Sequence, residues 1–112
     1  MIRFYLLLSL FCFANLVNAK DTAKRFAIRG NVIDQDSKFN IGSGTVYLLR
    51  TDSTVINSKT IMDGKFNLDS VENGNYILLI KEFQFEDFIQ KISIVNSDLY
   101  LESIELKKST NT

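Results

Sequence analysis

Two turn signals ten residues apart constrain this chain more than any other feature. Asp63-Gly64 and Asn73-Gly74 each set a glycine, which takes positive φ without a Cβ clash, behind a residue that tolerates the left-handed region. Between them Lys65-Phe66-Asn67-Leu68 alternates, with Phe66 and Leu68 on one face and Lys65 and Asn67 on the other. That is the period of a half-buried strand. A segment that reverses at both ends of one short strand belongs at the centre of a small β-structure.

Other stretches repeat the pattern. From Arg25 onward, Phe26, Ile28, Gly30 and Val32 share one face while Ala27, Arg29, Asn31 and Ile33 share the other. Gly30 inside such a run marks a bulge or the close approach of another group to the backbone. Residues 45–50 are dense in β-branched and aromatic side chains, with Val46 and Leu48 facing one way and Tyr47 and Leu49 the other. A third strand is expected over 54–61. The fifth, over 75–81, contains the run Tyr76-Ile77-Leu78-Leu79-Ile80, which suits a central strand covered on both faces or nearly so. Tyr76, two residues after Gly74, is placed to turn its hydroxyl back onto the loop before it, in the manner of a tyrosine corner.

Residues 82–97 fit two periods. Phe85, Phe88, Ile89 and Ile92 have helical spacing, yet Ile92-Ser93-Ile94-Val95 is β-branched and its neighbours are strands. A sixth strand is therefore expected, with a short helical turn over 82–88 left open. In the last strand, 99–106, the apolar phase shifts between Leu99/Leu101 and Ile104/Leu106, which places a bulge near Glu102-Ser103. Residues 34–44 read as a connection pinned by Phe39 and Ile41, and residues 107–112 as a polar tail that frays. Seven short strands without a long helix or a repeat describe an all-β sandwich. The chain has no proline, so charge and bulges must protect its sheet edges, and Arg25, Arg29, Lys59 and Lys91 are suited to that.

Residues 1–19 carry the marks of a secretory signal: Arg3, an apolar stretch from Phe4, and Val17-Asn18-Ala19 before a cut between Ala19 and Lys20. The apolar run is shorter than the roughly 20 residues of a membrane span. Residues 20–24 are a loose lead-in and 25–106 the folded domain. Past Ala19 there are 12 Lys and Arg against 13 Asp and Glu, a net charge of −1 over 93 residues. Charges scattered in this way argue against nucleic acid or an anionic membrane as partner. Cys12, the only cysteine, leaves with the signal, so the exported domain is expected to hold together by packing without a disulfide.

The order of motifs resembles the carboxypeptidase regulatory-like domain. The resemblance rests on Ile28-x-Gly30-x-Val32-x-Asp34, Gly44-x-Val46-x-Leu48, Thr60-x-x-Asp63-Gly64-x-Phe66-x-Leu68 and Gly74-x-Tyr76-x-Leu78, spanning about residues 26–106. It implies a seven-stranded antiparallel Greek-key β-sandwich of transthyretin (prealbumin) type. In bacteria such domains stand at the periplasmic N-terminus of outer-membrane β-barrel proteins and receptors, behind a signal peptide. It also implies a non-catalytic module, with Gly30, Asp63, Gly64, Phe66, Gly74 and Tyr76 serving turns and core.

Composition narrows the chemistry. The chain lacks His and Trp, which removes the commonest neutral-pH acid/base group and the commonest transition-metal ligand. Glu86-Asp87 are adjacent and would point to opposite faces of a strand, a poor acid/base pair. No catalytic residue, metal or cofactor is expected, and the turn carboxylates Asp34, Asp36, Asp63 and Asp69 are read as solvated. The expected role is an exported interaction module of the bacterial envelope, periplasmic or outer-membrane-associated, that binds a protein partner or positions a neighbouring domain. The alternatives are a fragment of an outer-membrane receptor, or a carbohydrate-binding module stacking sugars on Tyr47, Tyr100 or the Phe83/Phe85 pair.

Overall fold

A computed structural model describes residues 24–110; the signal segment expected over residues 1–19, with its cut between Ala19 and Lys20, lies outside them. Seven strands follow one another: β1 (Phe26–Asp34), β2 (Ser43–Arg50), β3 (Val55–Met62), β4 (Lys65–Val71), β5 (Gly74–Lys81), β6 (Phe88–Ile94) and β7 (Leu99–Leu106). Their neighbours run in the order β6-β5-β2-β3-β4-β1-β7. The β3/β4 link is a single pair, Met62 opposite Lys65, where every other neighbouring pair is matched over many residues. The sheet therefore folds over at this hairpin into a four-stranded layer, β6-β5-β2-β3, and a three-stranded layer, β4-β1-β7.

The inward positions of both layers form one core. Ile28 and Val32 on β1, Val46 and Leu48 on β2, Leu68 on β4, and Leu78 and Ile80 on β5 are almost wholly buried, with Ile94 and Leu106 beside them. The alternation in sequence is thus matched by burial on one face of each strand. The expectation of an antiparallel sheet requires one correction. β7 runs parallel to β1, because the chain leaves β6 in the four-stranded layer and crosses to the far edge of the other. That makes the sheet mixed. Across this parallel pair Gly30 faces Leu101 and Val32 faces Ile104, so Glu102 and Ser103 together oppose Asn31. The bulge sits where the apolar phase of β7 shifts.

Two connections and the tail sharpen or depart from their sequence reading. In the 34–43 connection Ile41 is buried while Phe39 is 76% exposed, so Ile41 alone is the plug. Asp34 folds the loop: its Oδ1 accepts the Asp36 amide at 2.8 Å, and its own amide donates to the Phe39 carbonyl at 2.8 Å. The segment before β6 is a turn over 82–85 rather than a helix, with the Phe85 amide donating to the Glu82 carbonyl at 3.0 Å, and Phe88 already belongs to β6. Finally, the tail does not fray throughout. The Glu86 amide donates to the Lys107 carbonyl at 2.8 Å and the Ser109 amide to the Gln84 carbonyl at 3.0 Å.

Candidate functional site

Each bracketing turn has its own geometry. Asp63 (φ 49°) and Gly64 (φ 81°) are both left-handed, the requirement of a two-residue type I′ hairpin between strands with a right-handed twist. The turn is clamped from outside, since the Gly64 carbonyl accepts the Val32 amide at 2.6 Å and the Gly64 amide donates to the Ile41 carbonyl at 2.7 Å. Asn73-Gly74 makes no hairpin, because β4 and β5 lie in different layers. It arches between them, and the Tyr76 hydroxyl donates to the Glu72 carbonyl at 2.7 Å beneath the arch. Asn73 joins this arch to the β6/β7 crossing: its Oδ1 accepts the Asn96 amide at 2.8 Å, and its Nδ2 donates to Asn96 Oδ1 at 2.9 Å. Gly30 is occupied differently again, its missing side chain replaced by the ring of Phe66. The structure thus places Asp63 and Gly64 in a hairpin turn, Gly74 and Tyr76 at an arch between layers, and Gly30 against the Phe66 ring.

The two outer faces of the sandwich are chemically unlike. On the three-stranded layer the outward residues are mainly polar: Arg29 and Asn31 on β1, Lys65, Asn67 and Asp69 on β4, and Tyr100 and Glu105 on β7. The four-stranded layer carries an apolar strip. One row across the strands is Ile89, Leu79, Tyr47 and Ser58; the next is Lys91, Ile77, Leu49 and Val55. Tyr47, Leu49, Ile77 and Leu79 are half-buried, and Ile89 is 66% exposed. The second cover that the apolar run in β5 calls for does not come from any described part of this chain.

The remaining sequence candidates separate. Phe83 is 90% exposed, whereas Phe85 packs against the core, so the two form no stacking pair. Tyr47 is part of the apolar strip and Tyr100 stands on the opposite face. Asp87 pairs with Lys81 at 3.1 Å. Among the described residues no group of three Cys, His, Asp or Glu side chains converges as a metal ion would require. The Asp34 carboxyl is held below its ordinary range, first by the Asp36 amide, with the Ser37 amide and the Lys108 ammonium acting in the same sense. The same contacts hold the loop in place. Of the expected edge guards, Lys59 and Lys91 lie on β3 and β6, which have an open side. Arg29 lies on β1, paired on both sides, so it guards no edge.

No family model and no curated relative matches this chain. Solved structures do. The major pilin subunit of Bacillus cereus superposes with a TM-score of 0.64 at 14% identity, over 74% of this chain and 30% of that one. The pilus 2b backbone protein of group B streptococcus gives 0.57 at 20% identity, over 76% and 42%. Catechol 1,2-dioxygenase from Pseudomonas arvilla C-1 gives 0.63 at 8% identity, over 84% and 55%. The likeness is one of fold. A pilin and a dioxygenase share this sandwich without sharing chemistry, so function has to be sought in the surfaces. The chain spans less than half the length of either pilin. Among the described residues no helix is long and apolar enough to cross a membrane.

The apolar strip is hard to see from sequence because Tyr47, Leu49, Ile77 and Leu79 occupy positions that read equally well as core. The signal present is the unbroken apolar run in β5, beside a β2 that is apolar at both phases. It requires two covers, and only the fold shows that the described residues supply one of them.

Proposed function

We propose that this chain is an exported, non-catalytic sandwich module of the bacterial envelope, periplasmic or associated with the outer membrane. In this reading it docks a protein partner or a neighbouring domain on the outer face of its four-stranded layer. The observation that carries it is the strip formed by Tyr47, Leu49, Ile77, Leu79 and Ile89, set against a mainly polar opposite face. Contiguous apolar area on one face of a soluble sheet is the mark of a surface that is covered in use. A face with a tyrosine among aliphatic side chains suits a protein surface, where aromatic anchors supply much of the affinity. Pilin-type sandwiches stand among the structures of like fold, which supports a place at the cell surface. The carboxypeptidase regulatory-like reading, with its transthyretin-type Greek key, agrees with the type I′ turn at Asp63-Gly64 and the tyrosine corner at Tyr76.

The test is site-specific photocrosslinking in the producing cell. A crosslinker at position 89 is expected to give one discrete adduct, and one at position 67, on the opposite face, is expected to give none. Equal labelling from both positions, or none from position 89, would overturn the assignment.

A further inference from the structure

The polar outer face contains a cluster that the docking strip leaves unused. Where β3 and β4 diverge below the hairpin, a groove of about 400 Å³ opens between them and continues over the three-stranded layer. Its floor is apolar, formed by Met62, Phe66 and the backbone at Gly30, while Arg29, Lys59 and Lys65 line it and no carboxylate does, although the chain past residue 19 has a net charge of −1. Arg29 shares its charge with Asp98 at 3.9 Å; Lys59 and Lys65 have no ion pair among the described residues. Lys59 belongs to the inward phase of β3, since it pairs with Val46. It reaches the groove because β4 has turned away.

An aromatic platform adjoins these cations. Tyr100, 62% exposed, stands in register with Arg29, which is in register with Asn67. The three side chains form a row across β7, β1 and β4, with neighbouring strands about 4.8 Å apart. Beyond Asn67 the groove continues to Thr60 on β3. The sequence thus runs ring, guanidinium, amide, hydroxyl, with two ammonium groups alongside. An added peptide strand recognises unpaired backbone at a sheet edge and runs along it. Here the row crosses the strands, and β1 is paired on both sides, so the centre of the row offers side chains only.

We infer that this groove binds an acidic sugar chain, with Tyr100 stacking on a sugar ring. Arg29, Lys59 and Lys65 neutralise its carboxylate or sulfate groups, and Asn67 and Thr60 bond its hydroxyls. This is a second surface, independent of the apolar strip.

The experiment is isothermal titration of the purified full chain at low and moderate salt. The arms are polygalacturonate (carboxylate), dextran sulfate (sulfate), neutral dextran and poly-glutamate of matched charge. Binding of at least one acidic polysaccharide, weakened by salt, with neutral dextran and poly-glutamate at least about tenfold weaker, supports the inference. The Lys59→Gln/Lys65→Gln variant, altered only at exposed side chains, is expected to lose about tenfold in affinity. Tyr100→Ala, with unchanged charge, is expected to lose roughly fivefold. Circular dichroism on each variant confirms that it is folded, and Tyr100→Phe, which keeps the ring, is expected to retain binding. Equal affinity for poly-glutamate would assign the groove to acidic peptides instead. Equal affinity of the folded Tyr100→Ala variant would reduce it to a non-specific charge patch. No binding to either acidic polysaccharide would also sink the inference.

Discussion

Gly30→Ala tests the packing at the centre of the three-stranded layer. A Cβ at position 30 would lie 2.5 Å from Phe66 Cζ, against about 3.5–4.0 Å for two carbons in favourable contact, so the ring must withdraw by about 1 Å. Phe66 is buried, with Ile104 Cδ1 3.4 Å from the same point, and it has little room to do so. Overpacking of this kind costs about 1–3 kcal/mol. Alanine in place of glycine within a strand returns about 0.5–1 kcal/mol through reduced backbone freedom in the unfolded chain. The net loss expected is about 1–2 kcal/mol, or a fall in Tm of roughly 5–15 °C for a domain of this size. Urea unfolding followed by circular dichroism measures it. The decisive comparison is with Phe66→Leu, alone and combined with Gly30→Ala. A leucine leaves space for the new methyl, so the double variant should recover about 1 kcal/mol relative to the sum of the single losses. Additivity within about 0.5 kcal/mol would show that the ring does not fill the place of the missing side chain.

Three further outcomes follow from the turns and the loop. Tyr76→Phe removes the donor to the Glu72 carbonyl and should cost about 1–2 kcal/mol in the same unfolding assay, while leaving the spectrum of the folded state unchanged. Gly64→Val places a branched side chain at φ 81°, with its Cβ 2.8 Å from Asn40 Cγ. Left-handed strain alone is about 1–3 kcal/mol, so thermal unfolding should show a loss at least that large. Asp34→Asn tests the loop by its pH dependence. The folded pKa of Asp34 is depressed, so the stability contributed by its charge is present above the ordinary carboxylate range and lost as pH falls through the folded pKa. The variant should therefore be less stable than the parent at pH 7, and the difference should shrink as pH falls below about 4. A gap that stays constant with pH would mean that the loop does not depend on the charge.

Much of the architecture was legible because several strands carry a clear period of two and turn residues separate the rest. In β4 one phase is apolar and the other polar, in β7 the same holds on either side of its bulge, and burial follows that division. Positions 39 and 41 show where local reading fails. Both are large and apolar in a polar loop, but the Ile41 amide donates to the Val32 carbonyl at 2.9 Å and draws that residue into the sandwich, while Phe39 is turned out. Asn73-Gly74 fails for a related reason. A dipeptide signals that the chain reverses, and not whether it returns beside the same strand or crosses to another layer. Position 74 begins β5, which pairs with β2 and β6 instead of β4.

By itself the sequence determined the strands, the hairpin at Asp63-Gly64 and the hydroxyl of Tyr76 directed at its own loop. These are settled by contacts within a few residues, where backbone sterics and side-chain period leave few choices. Tertiary structure alone decided the parallel placement of β7 against β1, the fold-over at Met62/Lys65 and the contrast between the outer faces. Those depend on which distant strands become neighbours, and a period of two records only that a side chain faces one way or the other. Nothing in that period says whether the second face will meet water, another layer or a partner. The strip at Tyr47, Leu79 and Ile89 and the groove at Tyr100, Arg29 and Lys59 both arise from that undetermined choice.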